Sequence, residues 1–176
     1  MLLFLVGYAG SGKSSMGRRL ARRLGMRFID TDQRVEQGAM MSVADIFARE
    51  GEEGFRVRER ATIEAIVRET DEAVVSTGGG LATWRDNMEW MSGEGVTIYL
   101  RRAPEQILLR LSRYGREKRP MFRGKSDGEL LEFMRHQMAE REPHYRKAAI
   151  TVECTTLSDD DAVEEIVKQI DRLLYE

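Results

Sequence analysis

Gly7-Tyr8-Ala9-Gly10-Ser11-Gly12-Lys13-Ser14 fits the pattern G-x-x-x-x-G-K-[ST], and the segments on either side suit it as well. A nucleoside triphosphate carries concentrated negative charge. Backbone N–H groups can meet that charge only where no side chains intervene, and glycines at 7, 10 and 12 allow this approach. Lys13 is then placed to reach the β- and γ-phosphates, and the Ser14 hydroxyl to ligate Mg²⁺. Upstream, Leu2-Leu3-Phe4-Leu5-Val6 is a short apolar run of the kind that forms a buried parallel strand. Downstream, Met16, Leu20 and Leu24 recur every fourth residue, so a helix starts where the phosphates sit. Gly10, Ser11, Gly12, Lys13, Ser14 and Ser15 are the expected nucleotide-binding set.

From this loop onward, strand and helix signals alternate. Residues 26–29 read as a second strand ending at Asp30-Thr31-Asp32, and 73–76, 96–100 and 150–152 as the third, fourth and fifth. Ser42 and Asp45 have capping-box spacing ahead of Ile46 and Phe47, and Ala61, Ile63, Ile66 and Val67 mark a helix over 55–67. Pro104 sits at the first position of a helix running to 111, and Ser126 with Glu129 opens another. Val163, Ile166, Val167, Ile170, Leu173 and Leu174 stripe the last. Such alternation implies an α/β three-layer sandwich, with a five-stranded parallel sheet covered on both faces. Ligands in these sheets bind at the carboxyl ends of the strands, where the loops after strands one, two and three gather. The expected organisation is one domain, 1–176, with a substrate-binding helical segment at about 32–62 and a mobile lid at about 112–126.

Bulk properties narrow the class. The 176 residues carry a net charge of −2, so no global basic field points to nucleic acid or an anionic membrane. The leading apolar block lacks a basic flank and is too short for a signal peptide or a membrane span, and no later run reaches spanning length. Cys154 is the only cysteine, which excludes an internal disulfide; it reads as a small apolar residue near a strand end. A cytoplasmic protein is expected.

The phosphate loop names a nucleotide but not a reaction, and four further features point to the acceptor. Asp30 and Asp32 stand where the second strand ends. A carboxylate there accepts a hydroxyl proton or holds Mg²⁺ through water; Asp32 is assigned the substrate hydroxyl and Asp30 the metal's water shell. In Phe55-Arg56-Val57-Arg58-Glu59, Arg56 offers a fork for a carboxylate and Glu59 orients it, while Phe55, Phe47 and Val43 suit an apolar wall beside a small ring. Thr77-Gly78-Gly79-Gly80 gives a strand-end backbone that a ligand can approach closely. Residues 112–125 hold six basic residues against Glu117 alone and lack helical periodicity, as expected of a flap that closes over phosphates and excludes water. Arg141, near the end of the helix before strand five, supplies the second half of a carboxylate clamp with Arg56. Arg18, Arg19, Arg22 and Arg23 read as solvent-facing, and His136 and His144 receive no catalytic role.

In this order the motifs resemble those of the shikimate kinases, small P-loop enzymes with a nucleoside-monophosphate-kinase-like fold. The carriers are GYAGSGKS, the D-x-D at Asp30–Asp32, the F-R-x-x-E of Phe55–Glu59, Gly78–Gly80, Arg119-Pro120 in the lid, and the R-x-P-x-Y of Arg141–Tyr145. The resemblance implies ATP-dependent phosphorylation of shikimate, a small carbocycle with one carboxylate and three hydroxyls, by a cytoplasmic monomer. It implies that Asp32, Arg56, Gly79 and Arg141 contact shikimate, with Gly78 and Gly80 beside them. Lys13, Ser14 and Arg119 then serve the phosphates, Mg²⁺ and the lid, and Arg113 stacks on adenine. Where the family often places a basic residue after the fifth strand, this chain has Thr155-Thr156-Leu157-Ser158, and the lid reads Met121-Phe122 in place of the usual leucines. A gluconate- or nucleotide-type kinase fits less well, since a nucleotide acceptor needs a base pocket and further phosphate contacts. A non-catalytic nucleotide switch leaves the paired arginines and the triple glycine unexplained.

Overall fold

The middle of the sheet is β1 (Leu2–Val6), every residue of which is buried. The computed structural model describes residues 1–111 and 113–175, with all side chains among these except those of 113 and 114. The remaining strands are β2 (Arg27–Asp30), β3 (Ala73–Ser76), β4 (Val96–Arg101) and β5 (Ile150–Glu153). The helices are α1 (Lys13–Leu24), α2 (Thr31–Ala39), α3 (Val43–Glu69), α4 (Asn87–Glu94), α5 (Pro104–Arg110), α6 (Arg113–Glu117), α7 (Asp127–Tyr145) and α8 (Asp159–Tyr175). All strand pairs are parallel, in the order β2-β3-β1-β4-β5. The five-stranded parallel sheet expected from the alternation is what forms.

Alternation along β1 divides the core in two. Leu2, Phe4 and Val6 face a layer containing Ile63 and Ile66 of α3, Met88 and Met91 of α4, Ile107 of α5, and Leu130 and Met134 of α7. Leu3 and Leu5 face the other layer, with Met16 and Leu20 of α1 and Val163, Ile166 and Ile170 of α8. This double burial explains why β1 reads as a continuous apolar run instead of an alternating one. A third, small cluster of Val35, Ile46 and Phe55, with Val43 and Phe47, joins α2 to α3 away from the sheet and shapes the helical segment expected at about 32–62.

Several local expectations hold. Pro104 is the first residue of α5, and Ser126 with Glu129 forms a complete capping box on α7. Others need correction. The Asp30–Asp32 stretch is not a loop: Asp30 ends β2 and caps α2, which puts Asp32 in the first helical turn. The helices expected around Ser42 and over 55–67 are one element, α3, interrupted at Gly51 (φ 70°, ψ −177°). The basic segment contains a short helix, α6, and a 3-10 turn at Pro120–Phe122. Phe122 is buried and stacks against Tyr8, pinning the far end of the basic segment to the phosphate loop.

Candidate active site

The phosphate loop leaves β1 at its carboxyl end. Gly7, Gly10 and Gly12 all have positive φ (146°, 80° and 98°), which L side chains rarely adopt. No side chain caps α1, so its first N–H groups are available to an anion at the start of the helix. Lys13 is buried, and its Nζ donates to the carbonyls of Gly7 (2.7 Å) and Tyr8 (2.9 Å). Burial, and then the charge of Arg119, draw its pKa down to about 7 against the opposing pull of Asp32 and Asp30. Ser11 is buried, Ser14 half-buried and Ser15 exposed.

Asp30 and Asp32 have different surroundings. The Asp30 carboxylate accepts from Ser14 Oγ at 2.7 Å and from the N–H groups of Asp32 and Gln33 at 3.0 and 3.3 Å. Ser76 Oγ stands 3.2 Å from Ser14 Oγ. These oxygens form a hard donor set of the kind Mg²⁺ takes, and Mg²⁺ is commonly held by one or two side chains plus substrate phosphates. Asp32 lines the cavity and is exposed to it. Desolvation there raises its pKa, as does Asp30, while Lys13 and Arg56 oppose the rise.

On the far wall, Arg56 is 6% exposed and Glu59 is fully buried, and the two form a close ion pair; Glu52 reaches the second Arg56 nitrogen at 3.4 Å. Burial lifts the Glu59 pKa to about 7 although Arg56 holds it down. The triple glycine fits against this pair. A Cβ on Gly80 would overlap the Arg56 guanidinium, one on Gly78 would overlap Glu59, and one on Gly79 would stand 2.9 Å from the Ala9 nitrogen. Arg141 enters from α7 with its guanidinium carbon 5.8 Å from the centre of the Tyr8 ring.

One cavity of about 870 Å³ joins these groups, lined by Asp32, Arg56, Gly78–Gly80 and Arg141 together with Ser14, Asp30 and Arg119 of the basic segment. Phe47 and Phe55 form its apolar wall, their rings 4.7 Å apart. Arg119 donates to the Gly115 carbonyl (2.7 Å), and burial lowers its pKa against the pull of Asp32. A separate hollow between α2 and α3, of about 520 Å³, gathers none of these groups. The acceptor-side residues named from sequence therefore converge. The Arg113 side chain lies outside the described residues.

Known proteins match this arrangement along almost the whole chain. The family model described as SKI, shikimate kinase, matches residues 9–171. The chain belongs to the shikimate kinase family. It is 42% identical to the shikimate kinase of Symbiobacterium thermophilum over 97% of this chain and 96% of that one. It is 36% identical to the shikimate kinase of Bacteroides thetaiotaomicron, over 98% and 97%. A solved structure of the Acinetobacter baumannii shikimate kinase in complex with shikimate superposes with a TM-score of 0.88, at 32% identity and over 99% and 95% of the two chains.

Within this shikimate kinase family scaffold, sequence reading missed several supports of the site. Tyr8 donates to Gln137 (2.6 Å), and the buried Tyr145 hydroxyl donates to the Gly79 carbonyl, tying α7 to the phosphate and glycine loops. Burial pushes the Tyr145 pKa up to about 12, so it remains a donor at neutral pH. Arg102, just past β4, is 3% exposed and donates to the Ser11 carbonyl at 3.1 Å. The Arg141-x-Pro143-x-Tyr145 spacing was a signal for Tyr145; the adjacent Arg101 and Arg102 at a strand end gave none for Arg102.

Proposed function

We propose that this chain transfers the γ-phosphoryl group of ATP to the 3-hydroxyl of shikimate, giving shikimate 3-phosphate and ADP on the route to chorismate and the aromatic amino acids. The observation that carries this reading is the meeting of Arg56, Arg141 and Asp32 in one cavity with Ser14 and Arg119. Two guanidinium forks take the carboxylate, the ring rests on Phe47 and Phe55, and the glycine wall leaves room for it. This anchoring turns one hydroxyl toward Asp32. As the bond from the 3-oxygen to the γ-phosphorus forms and the bond to the β-phosphate oxygen breaks, Asp32 takes the hydroxyl proton. Lys13 and Arg119 stabilise charge on the transferring oxygens.

Ser14 would hold Mg²⁺ directly and Asp30 through water, in keeping with their 2.7 Å contact. When bound, the ion supplies charge neutralisation between the phosphates. The lid, at about 112–126, closes over the phosphates and keeps water from competing with the hydroxyl, and Arg113 stacks on adenine. We further infer that the chain acts as a cytoplasmic monomer on a small-molecule acceptor, without nucleic-acid or membrane partners. Among the described residues no helix is long and apolar enough to cross a membrane.

An ADP-release assay with shikimate, gluconate and AMP as acceptors tests the reading. Turnover with shikimate alone is expected. Turnover with gluconate or AMP in its place, or with none of the three, would overturn it.

A further inference from the structure

Among the described residues, four buried side-chain polar atoms make no hydrogen bond: Ser11 Oγ, Glu59 Oε1, Arg102 Nη2 and Asp159 Oδ1. Glu59 belongs to the acceptor wall. The other three belong to one chain of contacts that ends on the phosphate loop, on the side away from the acceptor pocket. Arg102 Nε donates to the Ser11 carbonyl (3.1 Å), and its Nη2 stops 3.6 Å from Asp159 Oδ1. The other Asp159 oxygen accepts from Arg110 Nη2 at 3.1 Å, and that same nitrogen lies 3.3 Å from where a Cβ on Gly12 would stand. The segment carrying Arg102 is also laced to the one after β5: Ala103 N–H donates to Thr155 Oγ1 (3.0 Å) and Cys154 N–H to the Arg101 carbonyl (2.7 Å).

A buried cation costs several kcal/mol unless it is well paired. Here the pairing is one carbonyl and an ion pair stretched beyond hydrogen-bond length. A well-packed apolar side chain would fill this position at lower cost, so the guanidinium has work other than stability. The geometry of the peptide unit indicates what that work is. In a trans peptide the C=O and the following N–H point in opposite directions. Holding the Ser11 carbonyl toward Arg102 therefore turns the Gly12 N–H away from it, into the concave side of the loop where a phosphate is met.

We propose that Arg102 is a positioning residue for nucleotide binding, fixing the orientation of the Ser11–Gly12 peptide, with Asp159 as its counter-charge and Arg110 closing the link to Gly12. The proposal rests on the nucleotide-binding reading of the loop and not on the identity of the acceptor. Nucleotide and shikimate binding are therefore measured separately, without turnover.

The test is titration calorimetry of ADP and of shikimate on the full chain, with thermal melting as a check of the fold. Arg102→Met keeps the length of the side chain and removes the donor. It is expected to weaken ADP by about tenfold or more, as loss of a charged hydrogen bond does, while shikimate affinity stays within about twofold. Arg102→Lys should recover part of the loss. Arg102→Met combined with Asp159→Asn should be no weaker for ADP than Arg102→Met alone, because both act through one contact. Unchanged ADP affinity in a folded Arg102→Met protein would overturn the proposal, and so would equal weakening of both ligands. If Arg102→Met does not fold, Asp159→Asn decides: selective weakening of ADP supports the role, and unchanged ADP affinity contradicts it.

Discussion

Asp30 and Asp32 are one residue apart, yet their oxygens are committed differently. Both oxygens of Asp30 already accept, one from Ser14 and the other from two backbone N–H groups. Asp32 lines the cavity, and its pKa is raised by desolvation and by Asp30, as suits a proton acceptor. Asp32→Asn is expected to lower kcat by about 10²–10⁴-fold with the KM for ATP nearly unchanged; near-wild-type turnover would remove Asp32 from the proton-accepting role. Lys13 makes a second prediction. Its folded pKa, drawn down to about 7, leaves it largely neutral at pH 8, and a bound triphosphate restores the protonated form. ATP binding at pH 8 should therefore take up a proton, seen as a binding enthalpy that changes with the ionisation enthalpy of the buffer. In Lys13→Met that dependence should be lost.

Among the elements, the loop after β3 makes the narrowest fit. Gly80 lies so close to Arg56 that a methyl group there must displace the guanidinium. Gly80→Ala is accordingly expected to raise the KM for shikimate by roughly tenfold or more, about one charged hydrogen bond, while the KM for ATP stays near wild type. Equal changes in both constants would show that the loop acts on the fold and not on Arg56. What the sequence disclosed at this scale follows from how each element is buried. β1 and α1 were legible because one is buried on both faces and the other carries a regular apolar stripe. α2 was legible only as part of the helical segment at about 32–62, without bounds of its own, since Val35 is its one buried large apolar residue and its start depends on the Asp30 cap. α4 was missed because Met88 and Met91 are its only fully buried apolar residues. Charge marked out the basic segment read as a lid but not α6 within it, which is five residues long and rich in arginine. Arg102 reads in sequence as an ordinary charged strand end, and only the packing of β4 beside the phosphate loop reveals its partner.

Across the whole molecule, the strand order brings distant parts of the chain to one edge. With β1 central and β3 and β2 beside it, the phosphate loop, Thr77–Gly80 and Asp30–Asp32 emerge as neighbours at the carboxyl ends of the strands. α3 carries Arg56 to that edge. α7, returning toward β5, brings Arg141, and Tyr145 locks it to Gly79. The two-faced core makes this frame rigid: Leu5→Ala would cost about 2–5 kcal/mol by the usual measure of a buried leucine. The proposed acceptor clamp is thus a product of topology as much as of side chains. A crystal structure of the complex with shikimate and a non-hydrolysable ATP analogue tests it most directly. Both the Arg56 and Arg141 guanidinium groups are expected within hydrogen-bond distance of the shikimate carboxylate, and Asp32 within reach of the 3-hydroxyl. A carboxylate bound away from either arginine, or a 3-hydroxyl facing away from Asp32, would contradict it.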